Sequence, residues 1–183
     1  MDLMPAVAQW YFEHATPNTE FMADVSGIGY THPEHFGAHY QDRGAVMKDF
    51  FDWTARYLDK LDMSTLRTVG GKDPVVTEYV EGMPKLHSLF ADMGRYSGRE
   101  GIQNLTYMIG ETPVFRAVTS WRYGKESFMR EVREQVGDVR PAFVNGFLHC
   151  WTYNSMDAIV KHIYEQRDPD MVFVTPSQLA VLY

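Results

Sequence analysis

Stretches with helical periodicity alternate along this chain with short apolar stretches, and the alternation predicts a mixed α/β fold. Apolar residues between Phe36 and Leu61 recur at helical spacing, which is typical of one long amphipathic helix. Residues 104–121 instead contain two runs rich in β-branched and aromatic residues around Gly110, which predicts a strand, a turn and a second strand. Strands that alternate with helices indicate a mostly parallel sheet.

The remaining elements follow from shorter signals of the same two kinds. Further helices are predicted in residues 3–15, 75–82, 83–94, 126–136 and 155–166, and further strands in 20–27, 64–71, 142–151 and 171–175. Two capping boxes mark helix starts. Thr31 with Glu34 predicts that the long helix begins near Pro33, and Thr175 with Gln178 predicts a helix at the end of the chain.

The number of strands limits the architecture. A complete eight-stranded β/α barrel takes about 250 residues, whereas this chain has 183 and about six predicted strands. We therefore expect a single α/β domain over residues 1–183 with alternating strands and helices. It would be an open α/β sheet or the C-terminal part of a distorted (β/α) TIM-like barrel.

Composition and charge exclude several classes of protein. Apolar residues make up 45% of the chain, which is typical of a packed globular domain. The net charge is -7 and no Lys/Arg block occurs, so we expect no nucleic-acid partner. No apolar run approaches the ~20 residues of a membrane span, and no signal peptide follows Met1, so we expect no membrane partner. Cys150, the one cysteine, cannot form an internal disulfide.

A turn-rich segment, "VSGIGYTHPEHF" (residues 25–36), stands between a predicted strand and the long helix, where parallel α/β folds place their sites. Gly27 and Gly29 match the start of a dinucleotide-binding fingerprint, but His32 occupies the position of its third glycine. Ser26 lacks the preceding glycine of a nucleophile elbow. The segment therefore predicts one side of a functional site, but its residues do not identify the reaction or the ligand of that site.

Three histidines in this region leave a metal site open as an alternative. His35 and His39 would lie one turn apart on a helix that also begins close to His32, and paired imidazoles of this kind bind zinc. The competing interpretation is that they are ordinary polar residues near a helix start. If these histidines are ordinary polar residues, we expect no cofactor. If they form a metal site, we expect zinc.

Carboxylates and aromatic residues favour a carbohydrate site. Asp24 ends the first predicted strand and Glu111 lies in the strand–turn–strand, so either is a candidate acid or base; glycoside hydrolysis uses two carboxyl groups roughly 5–9.5 Å apart. Sugars present apolar faces and hydroxyl edges, which aromatic rings and polar tips bind. The candidate substrate-binding residues, all near predicted strand ends or loops, are Tyr30, His32, Tyr96, His149 and Trp151.

The motif "GIGYTHP", with Gly27, Gly29, Tyr30 and Pro33, resembles the signature of the GxGYxYP family of putative glycoside hydrolases, specifically its C-terminal domain. The later segments "MGRYSGREG", "GETPVFRAVTSW", "FVNGFLHCWTY" and "FVTPSQLAVLY" resemble the rest of that domain in the same order. One position differs, because His32 stands where the signature has its second tyrosine. Histidine keeps a ring and a hydrogen-bonding tip, so a role in contacting sugar is compatible with the change.

The resemblance implies a sugar-active protein with a carbohydrate substrate, and it suggests export from the cell. Family members are longer and carry an N-terminal domain with an acidic "SDGDN"-like stretch, which this sequence does not contain. The resemblance therefore implies a fragment whose catalysis needs the N-terminal region of the same polypeptide as a partner. The alternatives are a non-catalytic carbohydrate-binding domain and a metal-dependent hydrolase built on the three histidines.

Overall fold

A mostly parallel sheet forms the centre of the structure, a computed structural model that describes residues 4–69, 73–91, 105–148 and 156–183. The strands are β1 (Thr65–Thr68), β2 (Ser88–Ala91), β3 (Thr106–Ile109), β4 (Thr112–Thr119) and β5 (Asn145–Phe147). The helices are α1 (Pro5–Glu13), α2 (Arg43–Lys60), α3 (Asp73–Gly82), α4 (Ser120–Val136), α5 (Met156–Gln166) and α6 (Pro176–Leu182).

The sheet has the strand order β1-β2-β4-β3, and β5 extends it by pairing with β4. The pairs β1–β2, β2–β4 and β4–β5 are parallel, whereas β3 and β4 form an antiparallel hairpin. β3 pairs with residues 112–115 of β4, and β5 pairs with residues 117–119. Ala23 adds a single parallel bridge to Leu66 of β1. The carboxyl ends of the four parallel strands β1, β2, β4 and β5, and of the segment at Ala23, therefore meet at one edge of the sheet.

The sheet is curled into a half-barrel. Arg67 of β1 and Phe147 of β5 are separated by β2 and β4, so a flat sheet would hold their backbones about 14 Å apart. The guanidinium carbon of Arg67 nevertheless lies 3.5 Å from the centroid of the Phe147 ring. The two side chains meet across the concave face, toward which the sheet bends.

The convex face packs against α2 and α3. Because side chains alternate along a strand, Leu66, Leu89 and Val114 point to the face opposite Arg67. They form one hydrophobic core with residues of the two helices, including Phe51 and Tyr79. This burial fixes α2 and α3 over the sheet, and it also supports the turn that follows Ala23.

The concave face is lined by aromatic rings. Phe90 and Phe115 stack with their centroids 5.2 Å apart, and Tyr183 packs edge-on against Phe115 at 5.7 Å. The Tyr183 hydroxyl also donates a hydrogen bond to the carbonyl of Thr106. The end of the chain therefore covers part of this face.

A second core joins Val118 of β4 to α4 and α5.

The predictions for α1, α3, α5, α6, β1 and the β3–β4 hairpin are confirmed. Helix α4 is also present, but it begins at Ser120 and not at Glu126, so residues 120 and 121 belong to the helix and not to the preceding strand. The predicted capping box of Thr175 and Gln178 is also present at the start of α6. Within residues 142–148 the predicted strand is confirmed in part, as β5.

The long helix begins ten residues later than predicted, at Arg43 rather than Pro33, and its N-cap is Asp42. Gly37 has a φ of +75°, which interrupts a right-handed helix, so residues 33–40 form turns.

Three further predictions differ from the structure because short apolar runs do not reveal their geometry. Residues 83–94 were predicted as a helix, but Ser88–Ala91 is strand β2, buried on both faces. Residues 171–175 form no strand, and the predicted strand 20–27 is reduced to the bridge at Ala23.

Candidate functional site

The signature turn lies at the carboxyl edge of β1, where Ser26 anchors it. The Ser26 hydroxyl accepts a hydrogen bond from the backbone N–H of Val69 and donates one to the carbonyl of Thr31, both at 3.0 Å. The Tyr79 hydroxyl of α3 donates to the Ser26 carbonyl at 2.8 Å. Burial raises the pKa of Tyr79 to about 12, so its proton stays in this network. The backbone of the turn is thus attached to both β1 and α3.

The two signature glycines have different surroundings. Gly27 has a φ of +127°, and a Cβ placed there would lie 2.6 Å from the Oγ1 atom of Thr54 in α2. The same Thr54 oxygen accepts a hydrogen bond from the N–H of Ile28. A Cβ at Gly29 would meet no atom within 4 Å. Gly27 is therefore required by packing, whereas Gly29 leaves open space beside Tyr30.

Tyr30 and His32 form an exposed aromatic pair on this turn. Their ring centroids lie 5.8 Å apart with an interplanar angle of 79°, and Tyr30 is 62% exposed. Pro33, the last residue of the motif, is buried. Half-buried Gly27 and buried Pro33 hold the two ends of the motif, and the two rings between them face solvent.

An ion pair holds the segment after the turn. Arg43, the first residue of α2, pairs with both carboxylate oxygens of Glu78 at 2.9 Å. The same guanidinium donates to the carbonyls of Pro33 and Phe36. The hydrogen bond to Glu78 raises the pKa of Arg43. Arg43 therefore links the non-helical residues 33–36 to α3.

Asp24 and Arg67 meet at the same edge. A carboxylate oxygen of Asp24 lies 3.3 Å from an Nη atom of Arg67, whose side chain is only 10% exposed. Burial raises the pKa of Asp24, and the charge of Arg67 offsets part of that increase. The Arg67 guanidinium also stacks on Phe147, so it is held from two sides. Asp24 is thus a carboxyl group at the surface, with 42% of its side chain exposed, that retains its proton to a higher pH than usual.

Glu111 lies at the opposite edge of the sheet. It directly precedes β4 in the β3–β4 hairpin, whereas Asp24 stands beside the end of β1. Along the strand direction alone, about four residues separate them, which corresponds to about 13 Å whatever the curl of the sheet. That exceeds the separation of roughly 5–9.5 Å for carboxyl groups that flank one glycosidic bond. The structure does not bring these two candidates together.

The three histidines do not form a metal site. Among the described parts of the chain, no group of three or more His, Cys, Asp or Glu side chains is arranged to hold a metal ion, and His32, His35 and His39 are described. All three are exposed. The shared helix face assumed for His35 and His39 does not exist, because residues 33–40 form turns.

Tyr96, His149 and Trp151 lie outside the described residues, and their predicted roles stay predictions. Sequence reasoning missed Arg67, although an arginine inside the short strand "TLRT" was an available signal. It also missed Arg43 and Tyr79. Their partners stand 35 and 53 positions away along the chain, so no local pattern indicates them.

The fold and this edge define a class of protein: an α/β domain with a curled half-barrel sheet whose carboxyl edge carries a glycine-rich turn and a carboxyl group. The family model of the GxGYxYP putative glycoside hydrolase C-terminal domain matches residues 1–183. The chain belongs to this family, and the resemblance noted for "GIGYTHP" is confirmed.

A solved structure has a similar fold. It is a crystal structure described as that of a putative hydrolase from Bacteroides thetaiotaomicron VPI-5482, with 20% sequence identity and a TM-score of 0.73. The match covers 97% of this chain but 35% of that longer chain. A search of curated proteins finds no match. No helix in the described ranges has the length and apolar character needed to cross a membrane.

Proposed function

We propose that this chain is the carbohydrate-acting domain of a glycoside hydrolase, and that its half-barrel is the C-terminal part of a distorted (β/α) TIM-like barrel. The carboxyl edge of β1 would form one wall of the sugar site. The family name supports the reaction class, and sites of parallel α/β folds lie at this edge.

The observation that carries the proposal is the pairing of Asp24 with Arg67. A general acid must hold a proton near the working pH, and burial raises the pKa of Asp24 in that direction. Arg67 is held by Phe147 and positions the carboxyl group through the contact at 3.3 Å. We assign Asp24 the role of acid or base, and Arg67 the role of positioning it.

Tyr30 and His32 would bind the sugar. Their rings are edge to face and exposed, so one presents a flat apolar surface and the other a polar tip. The open space beside Gly29 lets a ligand approach the turn. Tyr96, His149 and Trp151 stay in the proposal as further sugar contacts.

The second carboxyl group of the reaction would come from the region that precedes this domain in the longer family members. Glu111 is at the wrong edge of the sheet to act with Asp24 on one bond. The chain corresponds to 35% of the solved relative, so a larger polypeptide has room to supply that group.

A binding and turnover experiment tests these roles. Glycan-array binding identifies a ligand for the purified chain, and 4-nitrophenyl glycosides report turnover in the longer family protein. We expect Tyr30→Ala to weaken glycan binding about fivefold, since an aromatic contact is worth about 1 kcal/mol. Asp24→Asn should preserve binding and lower turnover by about 10²-fold or more.

Tyr40→Ala is the matched control, because Tyr40 is also a highly exposed tyrosine but lies outside the motif. It should change neither property. Unchanged binding in Tyr30→Ala and His32→Ala, or unchanged turnover in Asp24→Asn, would contradict the assignment.

A second candidate function is carbohydrate binding without catalysis. It is favoured by the distance between Asp24 and Glu111, which leaves them unable to act as one catalytic pair. Glycan binding by the longer protein, without turnover of any glycoside to which it binds, would support this candidate.

A further inference from the structure

Helix α1 is apolar but has no buried residue. Its large side chains include Val7, Trp10 and Tyr11, and each of them is exposed, as is Met4 just before the helix; Trp10 is 53% exposed. A helix of nine residues is too short to be stable by propensity and relies on packing for its stability. The contacts among the described residues therefore leave most of the apolar surface of α1 uncovered.

The C-terminal segment of the chain is also apolar and exposed. Helix α6 also has no buried residue, and Val181 and Leu182 point largely into solvent, with Val181 79% exposed. Val172 and Phe173, just before α6, are exposed as well. Helix α6 contacts β2, and Tyr183 packs on the concave face, so this apolar segment borders the open side of the half-barrel.

The two segments meet through Glu20. The ring of Phe12 in α1 packs on Phe21 at 4.6 Å between centroids. The neighbouring Glu20 carboxylate accepts hydrogen bonds from the N–H and the hydroxyl of Ser177, both at 2.7 Å. It accepts a third from Thr65 of β1. Glu20 thus links the two segments, and we give the name terminal face to their exposed apolar residues: Met4, Val7, Trp10, Tyr11, Val172, Phe173, Val181 and Leu182.

We propose that the terminal face is the surface on which the preceding region of the longer family polypeptide packs. An exposed apolar surface of this kind marks an interaction site. The family model describes this chain as a C-terminal domain, and the solved relative is nearly three times as long, since the match covers 35% of it. The occupant is thus a covalently linked domain that closes the open side of the half-barrel. The inference is independent of the sugar chemistry proposed above.

Footprinting of the native gene product tests this surface. The protein is isolated from its own cells with an antibody raised against the 183-residue chain, and its length is determined by mass spectrometry. Hydroxyl radicals then label the native product and the purified 183-residue chain in parallel. Trp10 and Trp53 are a matched pair, because they are 53% and 50% exposed and Trp53 lies on α2, over the convex face.

We expect a native product that extends before Met1 and in which oxidation of Trp10 falls about fivefold relative to the short chain, because interface cores exclude water. Trp53 should label equally in both. A longer product in which Trp10 stays reactive overturns the proposal. A product that begins at Met1 overturns it as well. This holds if Trp10 is reactive in that product, and it holds if a second copy protects Trp10, in which case dilution would remove the protection.

A variant separates docking from folding. Trp10→Asp should leave the thermal midpoint of the 183-residue chain unchanged, because the side chain is exposed there. In the longer product the same change should lower the midpoint by about 3 °C or more, because it places a charge in an interface. Trp53→Asp should have the same effect in both proteins. Equal effects of Trp10→Asp in both proteins would also overturn the proposal.

Discussion

Replacing Gly27 with alanine should destabilise the whole domain, although the residue lies in a surface turn. Its φ of +127° belongs to a region that L-residues rarely adopt, and an added Cβ would meet Oγ1 of Thr54 at 2.6 Å and its Cγ2 at 2.9 Å. Thr54 is buried in the core between α2 and the sheet, so it has little room to move.

The magnitude follows from two costs and one gain. Backbone strain costs about 1–2 kcal/mol, and forcing a methyl group into a packed site costs about 1–3 kcal/mol. The lower entropy of the unfolded alanine chain returns about 0.4–1 kcal/mol. The free energy of unfolding should therefore fall by about 2–4 kcal/mol, a large part of the roughly 5–15 kcal/mol of a typical domain.

Urea denaturation followed by circular dichroism measures this change. With a slope of about 2 kcal/mol per molar, the midpoint should fall by about 1–2 M. Gly29→Ala is the matched control in the same motif, because its Cβ would meet no atom within 4 Å. We expect its free energy of unfolding to stay within about 0.5 kcal/mol of the wild type.

A double-mutant cycle with Thr54→Ala isolates the steric part. In the Thr54→Ala background, the cost of Gly27→Ala should drop to the backbone strain of about 1–2 kcal/mol, less the same entropy gain. If Gly27→Ala is no more destabilising than Gly29→Ala, the packing argument is wrong. If its cost is the same in both Thr54 backgrounds, the contact is not the cause.

Three further predictions concern ionisable groups. Burial raises the pKa of Tyr79 to about 12. Its contribution of roughly 3 kcal/mol to the free energy of unfolding is therefore present below pH 10 and lost as the pH rises through 12. The free energy of unfolding, measured from pH 9 to 12, should fall less steeply in Tyr79→Phe than in the wild type, and parallel curves would contradict this. Glu20→Ala should lower the free energy of unfolding by about 2 kcal/mol, because the Glu20 carboxylate accepts two hydrogen bonds from Ser177. Amide hydrogen exchange in α6 should become faster, and unchanged exchange would show that Glu20 does not hold this helix in place. Arg67→Gln removes the charge that lowers the pKa of Asp24, so the ¹³C titration of the Asp24 carboxyl should move to higher pH, whereas a downward shift would refute the assigned cause.

The secondary structure was predictable where the local pattern was unambiguous. The hairpin of β3 and β4 shows two β-rich runs around Gly110, and α5 shows one apolar stripe, so their types follow from short-range preferences. The strand β2 was mistaken for a helix because a strand buried on both faces has no period-two alternation. Similarly, the late start of α2 depends on the backbone of Gly37 and on Arg43 contacts that no local pattern shows.

The family motif was recognisable from the sequence, but the contacts around it were not. Gly27, Gly29, Tyr30 and Pro33 are adjacent in sequence, and the family model that matches the whole chain agrees with the family they indicated. The pairing of Asp24 with Arg67, and the distance that separates Asp24 from Glu111, depend on strand order and register. A sequence lists carboxyl groups but does not say which edge of a sheet each one occupies.

The amino-acid sequence therefore specifies the α/β class, the family and the turn, because periodicity, glycine spacing and a motif of seven residues act over short distances. The fold alone establishes the curl of the sheet, which brings Arg67 onto Phe147, and the packing of Thr54 against Gly27. It also leaves the apolar residues of α1 and α6 at the surface. These features arise from contacts between residues far apart in the chain, and their strength depends on distances that emerge only when the strands and helices pack together.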